Sequence, residues 1–365
     1  MTCVIIDHSQ MSSVLSWFSF ERFWLVSAAE VFVVLSGVVL GMVYGPRLAR
    51  DGWLAVAKRL GRRALVLYAA CVAVSLSVIA LSFAGVDVSS VSAWDSTALG
   101  WFLDPRTMTA AEWRDLVLIR YSPWAVEIIG LYVWLVLAAV PCLLALRTGR
   151  WRLLLVVSWA LYIWYRIAPH QLTAAEFEVV FPILAWQLLF VHGITIGYHR
   201  EQIAAWLPRR KPLLAVIATA SAAFMVVAFC NPLADGPAWL RFGLISPETF
   251  SSMYERYFAF SNLGIGRLAN LAVALPLGYA LLSGVWGFAA RFQALFVTLG
   301  QASLGAFVLH VYGLLLLDHL PGAGELWINT IAQILLVVAI AGALGAMRRW
   351  RRARRQVLAP QPLPA

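Results

Sequence analysis

The chain has 365 residues, of which 62% are hydrophobic and 13% are charged, and its mean hydropathy is +0.79. Apolar runs recur along the whole length, which excludes a soluble fold and predicts an all-α, polytopic membrane protein. The net charge of +10 does not indicate a nucleic-acid partner, because the basic residues are confined to a few connections between apolar segments.

About ten apolar segments are predicted to be transmembrane helices, since about 20 apolar residues cross the hydrocarbon core. The first is the opening fragment MTCVIIDHSQ, in which six residues lead directly into an acid and an imidazole. Its length predicts the end of a truncated helix. The other nine are centred on residues 26–44, 64–84, 125–146, 153–167, 181–198, 213–229, 268–288, 294–317 and 326–347.

Lysine and arginine cluster in alternate connections, which hold most of the 28 basic residues. The positive-inside rule then predicts that both termini are cytoplasmic. Residues 1–347 are predicted to form one integral membrane domain, and residues 348–365 a basic cytoplasmic tail.

Ionisable residues at membrane depth are costly, and they are therefore the candidates for chemistry. His8 ends the first segment, and a neutral imidazole can accept a hydroxyl proton near neutral pH. Asp7 is its neighbour in the chain, but adjacent residues of a helix point about 100° apart. Glu30, at the start of the next segment, is therefore a further candidate to orient His8, and a capped helix end is the alternative interpretation of His8.

Further polar residues lie where later segments begin or inside them. Arg120 could bind substrate or pair with an acid, Gln187 could contact substrate or another helix, and His310 could be catalytic or join helices. The predicted substrate-binding residues are Arg120, Tyr121, Glu127, Trp186, Gln187 and His310. We predict no metal site, since no ligand spacing such as His-Glu-x-x-His occurs.

Five stretches, in this order along the chain, resemble the OpgC family, membrane succinyltransferases of osmoregulated periplasmic glucans within the acyltransferase-3 superfamily. The stretches are IIDHSQ at 5–10, VSAAEVFVVLSGVVLGMVYG at 26–45, LIRYSPWAVEIIGLY at 118–132, FPILAWQLLFVHGITIG at 181–197 and SLGAFVLHVYGLLL at 303–316. The resemblance implies about ten spans with cytoplasmic ends, in agreement with the charge pattern.

Two departures from the family pattern bear on the site. In the family an arginine begins the first helix a little over three turns before the Asp-His pair, and here that position would precede Met1. We therefore expect Met1 to be an internal methionine of a longer reading frame, or the chain to be truncated at its N-terminus. Glu127 stands where members often carry aspartate.

The resemblance implies O-acyl transfer in a multi-pass protein of the bacterial inner membrane. A cytoplasmic acyl-CoA, with succinyl-CoA as the implied donor, would acylate a hydroxyl of an extracytoplasmic glycan. His8 would be the base, and Asp7 or Glu30 would stabilise its imidazolium form. The CoA phosphates would be attracted by basic residues whose alternative role is topology alone: Lys58, Arg59, Arg62, Arg63, Arg209 and Arg210.

Two other functions remain open at this level. One is a transporter or flippase of an organic anion or a lipid-linked intermediate, whose path the buried polar residues would line. The other is an inactive scaffold derived from an acyltransferase. Neither a Walker loop nor a repeated half occurs in the sequence.

Overall fold

The computed structural model describes residues 1–92, 108–206, 211–234, 236–289, 293–320 and 324–357, and these residues form helices joined by loops, without a strand. The N-terminal half contains α1 (Thr2–His8), α2 (Phe20–Phe23), α3 (Ala28–Asp51), α4 (Trp53–Phe83), α5 (Ser89–Ser92), α6 (Ala110–Val117), α7 (Glu127–Arg147) and α8 (Trp151–Ile167). The remainder contains α9 (Phe177–Val180), α10 (Ile183–Tyr198), α11 (Arg200–Trp206), α12 (Lys211–Phe229), α13 (Pro247–Tyr257), α14 (Ile265–Gly284), α15 (Trp286–Ala289), α16 (Gln293–Gln301), α17 (Ser303–Asp318) and α18 (Leu326–Val357). Short 3-10 turns cover Ser16–Phe18, Trp124–Val126 and Ala238–Leu240.

In the described part of the chain, six helices are long and apolar enough to cross a membrane: α3, α4, α7 with the turn before it, α12, α14 and α18. A seventh span results if α16 and α17, which meet at an angle of 101°, count as one broken helix. The remaining predicted spans correspond to shorter helices, namely α1 with 7 residues, α8 with 17 and α10 with 16. The structure therefore confirms an all-helical protein with six candidate spans, and ten spans remain a prediction.

Helices α3 and α10 pack closely because glycines face each other along their contact. A side chain at Gly37 or Gly41 would meet the backbone of α10, and one at Gly193 or Gly197 would meet the backbone of α3. Small residues allow helix backbones to approach each other in membranes, where apolar side chains provide little driving force for association. This pair forms the centre of the packed core.

The last helix, α18, packs against α1, α16 and α17. It continues without interruption through residue 357, and so through the described part of the predicted basic tail. The Nη1 of Arg348 on α18 donates to the Oε1 of Gln301 over 2.8 Å, which joins α18 to the break between α16 and α17.

Candidate functional site

His8 is the last residue of α1 and is held from two sides. Its Nδ1 lies 2.9 Å from the Nε2 of His310 on α17. Its ring packs against Trp124 and Phe307, with centroid separations of 5.0 and 6.0 Å. The fold thus brings His8 and His310, which are 302 positions apart in the chain, into direct contact.

His310 continues this contact into the backbone of its own helix. The residue is fully buried, and its Nδ1 hydrogen-bonds the carbonyl oxygen of Phe307 one turn earlier. The sequence predicts His310 as a substrate-binding residue, and the structure places its Nε2 against His8.

A cavity of about 660 Å³, here called the His8 chamber, lies beside this histidine pair. It is lined by His8 and, among others, by Asp7, Ala29, Trp124, Glu127 and Phe307. Glu127 is buried in the first turn of α7. The chamber therefore presents an imidazole and three carboxyl groups, those of Asp7, Glu21 and Glu127, to any molecule inside it.

A second cavity of about 860 Å³, the basic cavity, adjoins the chamber. Its lining includes Arg63, Arg348 and Arg351 together with apolar side chains of α4, α17 and α18, such as Leu67 and Val308. It is also bordered by the break between α16 and α17, where Gln301 and Ser303 line it. Irregular backbone at membrane depth is tolerated where it lines such a cavity.

The chamber and the basic cavity share three lining residues, Phe32, Ile128 and Phe307. Phe32 lies near the start of α3, whereas Arg63 follows α3 across the turn at Gly52. Both residues line the basic cavity, which therefore extends from one to the other. The basic cavity is thus a route from a cluster of guanidinium groups to the wall of the His8 chamber.

A third cavity of about 440 Å³, the polar vestibule, adjoins the chamber through Asp7, Gln10 and Glu21. Its remaining lining is both polar and apolar, and it comes from α1 and the segment after it, from the α2 region, from the loop after α12 and from α13: Ser16, Ser19, Arg22, Asn231, Ser251, Tyr254 and Glu255, with Ile6, Met11, Leu233, Ala234 and Phe250. The three cavities therefore form a consecutive series, from the vestibule through the chamber to the basic cavity.

The segment after His8 is fastened to α18 by hydrogen bonds. The Oγ of Ser13 donates to the Oε1 of Gln333 over 2.6 Å, and the Nε2 of Gln333 donates to the Oγ of Ser9 over 2.6 Å. The Nδ2 of Asn329 donates to the carbonyl oxygen of Ser12 over 2.9 Å. Both Ser13 and Gln333 are fully buried, so these bonds fix where α1 ends.

Glu30, the predicted partner of His8, instead joins two helices. Its carboxylate accepts from the backbone N–H and the hydroxyl of Ser27, in a capping box at the start of α3. It also accepts from the Nε of Arg267 on α14. Both side chains of this ion pair are 1% exposed. The hydrogen bonds of Glu30 thus go to Ser27 and Arg267, and its position in the fold is that of a helix anchor.

Arg120 and Tyr121 lie outside the three cavities. The Nη1 of Arg120 is 3.2 Å from the carboxylate of Asp115 at the surface, and hydrogen bonding from the Arg114 guanidinium holds the pKa of Asp115 below its usual range. Tyr121 lines a separate cavity of about 40 Å³ with Glu176. Burial raises the pKa of Glu176 to about 7.

Trp186 and Gln187 pair with neighbouring protein groups. The Nε1 of Trp186 donates to the carbonyl oxygen of Ser261 over 3.1 Å, and its ring packs on Phe181, which lines the chamber. The Oε1 of Gln187 accepts from Ser158 on α8 over 2.7 Å, and its Nε2 donates to the carbonyl oxygen of Ser158 over 2.8 Å. Of the two partners that the sequence left open for Gln187, the fold supplies the helix.

Of the predicted donor-binding residues, Arg63 lines the basic cavity. Lys58, Arg59 and Arg62 are exposed on the same helix, and Arg59 forms an ion pair with Asp51. Arg209 and Arg210 lie outside the described residues.

The arginines on α14 and α18 and the aromatic side chains that line the chamber were not predicted from the sequence. Arg267 directly precedes the apolar run of residues 268–288, where its cost at membrane depth was a usable signal. Arg348 and Arg351 lie in a run that topology alone explains, and nothing local distinguishes Trp124 or Phe307 from core aromatics. Within the described ranges, no three histidine, cysteine or acidic side chains could together hold a metal ion.

Comparison with known proteins gives one match. A family model described as "OpgC protein" matches residues 1–353, which is nearly the whole chain. No curated protein and no solved structure matches.

Proposed function

This chain belongs to the OpgC protein family, and on that premise we propose that it is a membrane O-acyltransferase that moves an acyl group from acyl-CoA to a hydroxyl of a glycan. The observation that carries the proposal is the meeting of two cavities at Phe307, beside His8. One cavity suits a long, polyanionic donor, and the other holds a histidine that can act as a base.

The basic cavity is the proposed donor site. Arg63, Arg348 and Arg351 would bind the phosphates of coenzyme A, since guanidinium groups pair well with phosphate. The apolar lining would take the thin pantetheine arm, and the thioester would reach the shared wall at Phe307. Lys58, Arg59 and Arg62, exposed on the same helix as Arg63, add to the positive potential that attracts the donor.

The polar vestibule is the proposed acceptor site. Hydroxyl, amide and carboxylate side chains such as Ser19, Asn231 and Glu255 can hydrogen-bond sugar hydroxyls. Phe250 and Tyr254 stack with their ring centroids 6.0 Å apart and provide an aromatic surface there. Asp7 lines both the vestibule and the chamber, where its carboxyl group would position the acceptor hydroxyl beside His8.

In the proposed reaction, each group acts from the position described. His8 accepts the proton of the glycan hydroxyl while the oxygen attacks the thioester carbonyl carbon. The carbon–sulfur bond breaks, and His8 returns the proton to the departing sulfur. The products are a glycan ester and free coenzyme A, and the histidine ends in its starting protonation state.

The proposal includes an orientation and an acyl group. The clustering of basic residues supports cytoplasmic termini in a protein of about ten spans in the bacterial inner membrane, with the basic cavity open to cytoplasmic acyl-CoA. The acceptor would then be an extracytoplasmic glycan. Succinyl is the acyl group that the resemblance of the five sequence stretches to the OpgC family implies.

The series of three cavities also favours a second candidate, a transporter that passes an organic anion from one side to the other. A transporter would leave no ester on any glycan. The two functions are therefore separated by the covalent product.

The test is mass spectrometry of envelope glycans from a deletion strain that expresses this chain, its His8→Ala variant or, as a matched control, His170→Ala. His170 is half-buried, and among the described residues it hydrogen-bonds only the nearby carbonyl oxygen of Ala168. We expect an acyl ester with the native chain and the control, and none with His8→Ala, and its mass identifies the acyl group. An ester that persists in His8→Ala contradicts the mechanism, and no ester in any strain favours transport.

A further inference from the structure

The histidine pair contains enough information to assign a proton to each ring. The carbonyl oxygen of Phe307 can only accept a hydrogen bond, so the Nδ1 of His310 must carry the hydrogen that lies between them. In a neutral imidazole the other nitrogen then has no hydrogen. The Nε2 of His310 is therefore an acceptor.

The hydrogen on the His8 ring is assigned in the same way. Since the Nε2 of His310 accepts, the Nδ1 of His8 donates across the 2.9 Å that separates them. The Nε2 of His8 is then left with its lone pair, in a ring that lines the chamber. A doubly protonated His310 would reverse this assignment. It would place a positive charge in a fully buried position, without a carboxylate partner in the described part of the chain. Burial of an unpaired charge is costly, so His310 is assigned as neutral.

We propose that His310 is a positioning residue, which holds His8 in the tautomer that carries its hydrogen on Nδ1 and so reserves Nε2 for the proton of the acceptor hydroxyl. The hydrogen bond made by one ring nitrogen sets the protonation of the other. The tautomer follows from the geometry alone, whereas the catalytic consequence rests on the proposed acyl transfer.

The contact also serves the charged intermediate state. When the Nε2 of His8 takes the proton, the ring becomes an imidazolium and its Nδ1–H becomes a stronger donor to His310. The hydrogen bond that the Nδ1 of His310 donates to the carbonyl oxygen of Phe307 keeps the acceptor nitrogen of His310 in place during this step. A backbone carbonyl and a second histidine thus set the tautomer and orientation of the base, which is one of the two roles of the carboxylate in a serine-hydrolase triad.

The first measurement is the nitrogen NMR spectrum of full-length protein labelled with ¹⁵N in its histidines. The His8 signals are those that disappear in His8→Gln. We expect the native protein to carry hydrogen on the Nδ1 of His8, and His310→Phe, which retains a ring but cannot accept, to lose this preference. Hydrogen on the Nε2 of His8 in the native protein would overturn the assignment, whatever the activities of the variants.

The second measurement is kinetic. General bases contribute about 10²–10⁴-fold to rate. We therefore expect His310→Phe to lower kcat by about 10²-fold, with the KM values for acyl-CoA and for the glycan nearly unchanged. His310→Gln, whose amide oxygen can accept from His8, should recover part of that loss. The matched control is His319→Phe, at the end of the same helix, where the ring hydrogen-bonds the carbonyl oxygen of Leu315.

The outcomes separate the two proposals. If His310→Phe is no slower than His319→Phe while His8→Gln is inactive, the positioning role is wrong and the acyltransferase mechanism stands. If His8→Gln is fully active, the mechanism is wrong, and the tautomer is judged by the spectrum alone.

Discussion

Arg267 and Glu30 form a buried ion pair that ties the first turn of α14 to the first turn of α3. The same guanidinium donates to the hydroxyl of Tyr254 over 3.0 Å and to the carbonyl oxygen of Phe258 over 3.2 Å. Glu21, which lines both the vestibule and the chamber, is 3.7 Å from it. The pair therefore contacts two residues that line the chamber, because Arg267 lies beside Glu21 and Glu30 hydrogen-bonds Ser27.

Arg267→Met should destabilise the protein strongly, because removing one partner of a buried ion pair costs about 3–5 kcal/mol. The measurement is the midpoint of thermal unfolding in detergent, followed by tryptophan fluorescence. Arg200→Met, which breaks an ion pair with the exposed Glu201, should cost about 1 kcal/mol or less. If adding Glu30→Leu to Arg267→Met restores part of the lost stability, the result supports the ion pair. If Arg267→Met and Arg200→Met lose the same stability, the result contradicts it.

Gly197→Ala should weaken the packing of α3 against α10. A methyl group there would meet the backbone of Val38, which cannot move aside as a side chain can. Gly342→Ala is the control, since a methyl group at that helical position meets nothing within 4 Å. We expect a lower unfolding midpoint for Gly197→Ala and an unchanged or higher one for Gly342→Ala, because alanine favours helix. The same midpoint for both variants would show that the helices tolerate separation.

Glu176 should make stability depend on pH. Burial raises the pKa of its folded carboxyl to about 7, whereas an unfolded glutamate ionises near about 4.3. The folded state thus holds the proton more tightly, and raising the pH from about 4 to about 8 should lower the free energy of unfolding.

Glu176→Gln should remove that part of the pH dependence, measured as the unfolding midpoint at a series of pH values. Glu112→Gln is the contrasting variant, because hydrogen bonds from Thr109 lower the pKa of Glu112. Glu112→Gln should therefore change how stability depends on pH only below about pH 5. A midpoint that falls equally in native protein and Glu176→Gln would assign the pH dependence to another group.

Arg348→Gln and Arg351→Gln should each raise KM for acyl-CoA about tenfold, since a charged hydrogen bond contributes about 1.5–3 kcal/mol. Arg352→Gln lies on the same helix but outside the lining of the basic cavity, and should have little effect. With an acyl-pantetheine donor, which lacks the nucleotide phosphates, native protein and all three variants should have similar KM values. A defect that persists with that donor would place the arginines outside phosphate recognition.

Phe307→Ala should broaden the range of acyl groups that the protein transfers, because Phe307 lines both the basic cavity and the chamber where they meet. The measured quantity is the ratio of kcat/KM for octanoyl-CoA to that for succinyl-CoA. Each methylene accommodated in an apolar site contributes about 1–3 kcal/mol, so a rise of about tenfold or more is expected. Phe296→Ala, an exposed aromatic on α16, is the control and should leave the ratio unchanged.

The long apolar runs predicted α3, α4, α7, α12, α14 and α18, because length and hydropathy are local properties of the sequence. The chemistry around His8 was predicted less completely. His8 itself stands out as an imidazole at the end of an apolar segment, but its partner is 302 positions away, and which helices meet depends on packing. Glu30 illustrates the same limit, since its partner Arg267 lies 237 positions away.

The hydrogen bonds from Gln333 and Asn329 to the segment after His8 can form only late in synthesis, because they join residues 317 or more positions apart. Helix α1 carries the histidine and is synthesised before α18, which carries the side chains that bind the segment after it. Until α18 has entered the membrane, the segment after His8 lacks these hydrogen bonds. The position of His8 is therefore completed only when α18 packs against α1.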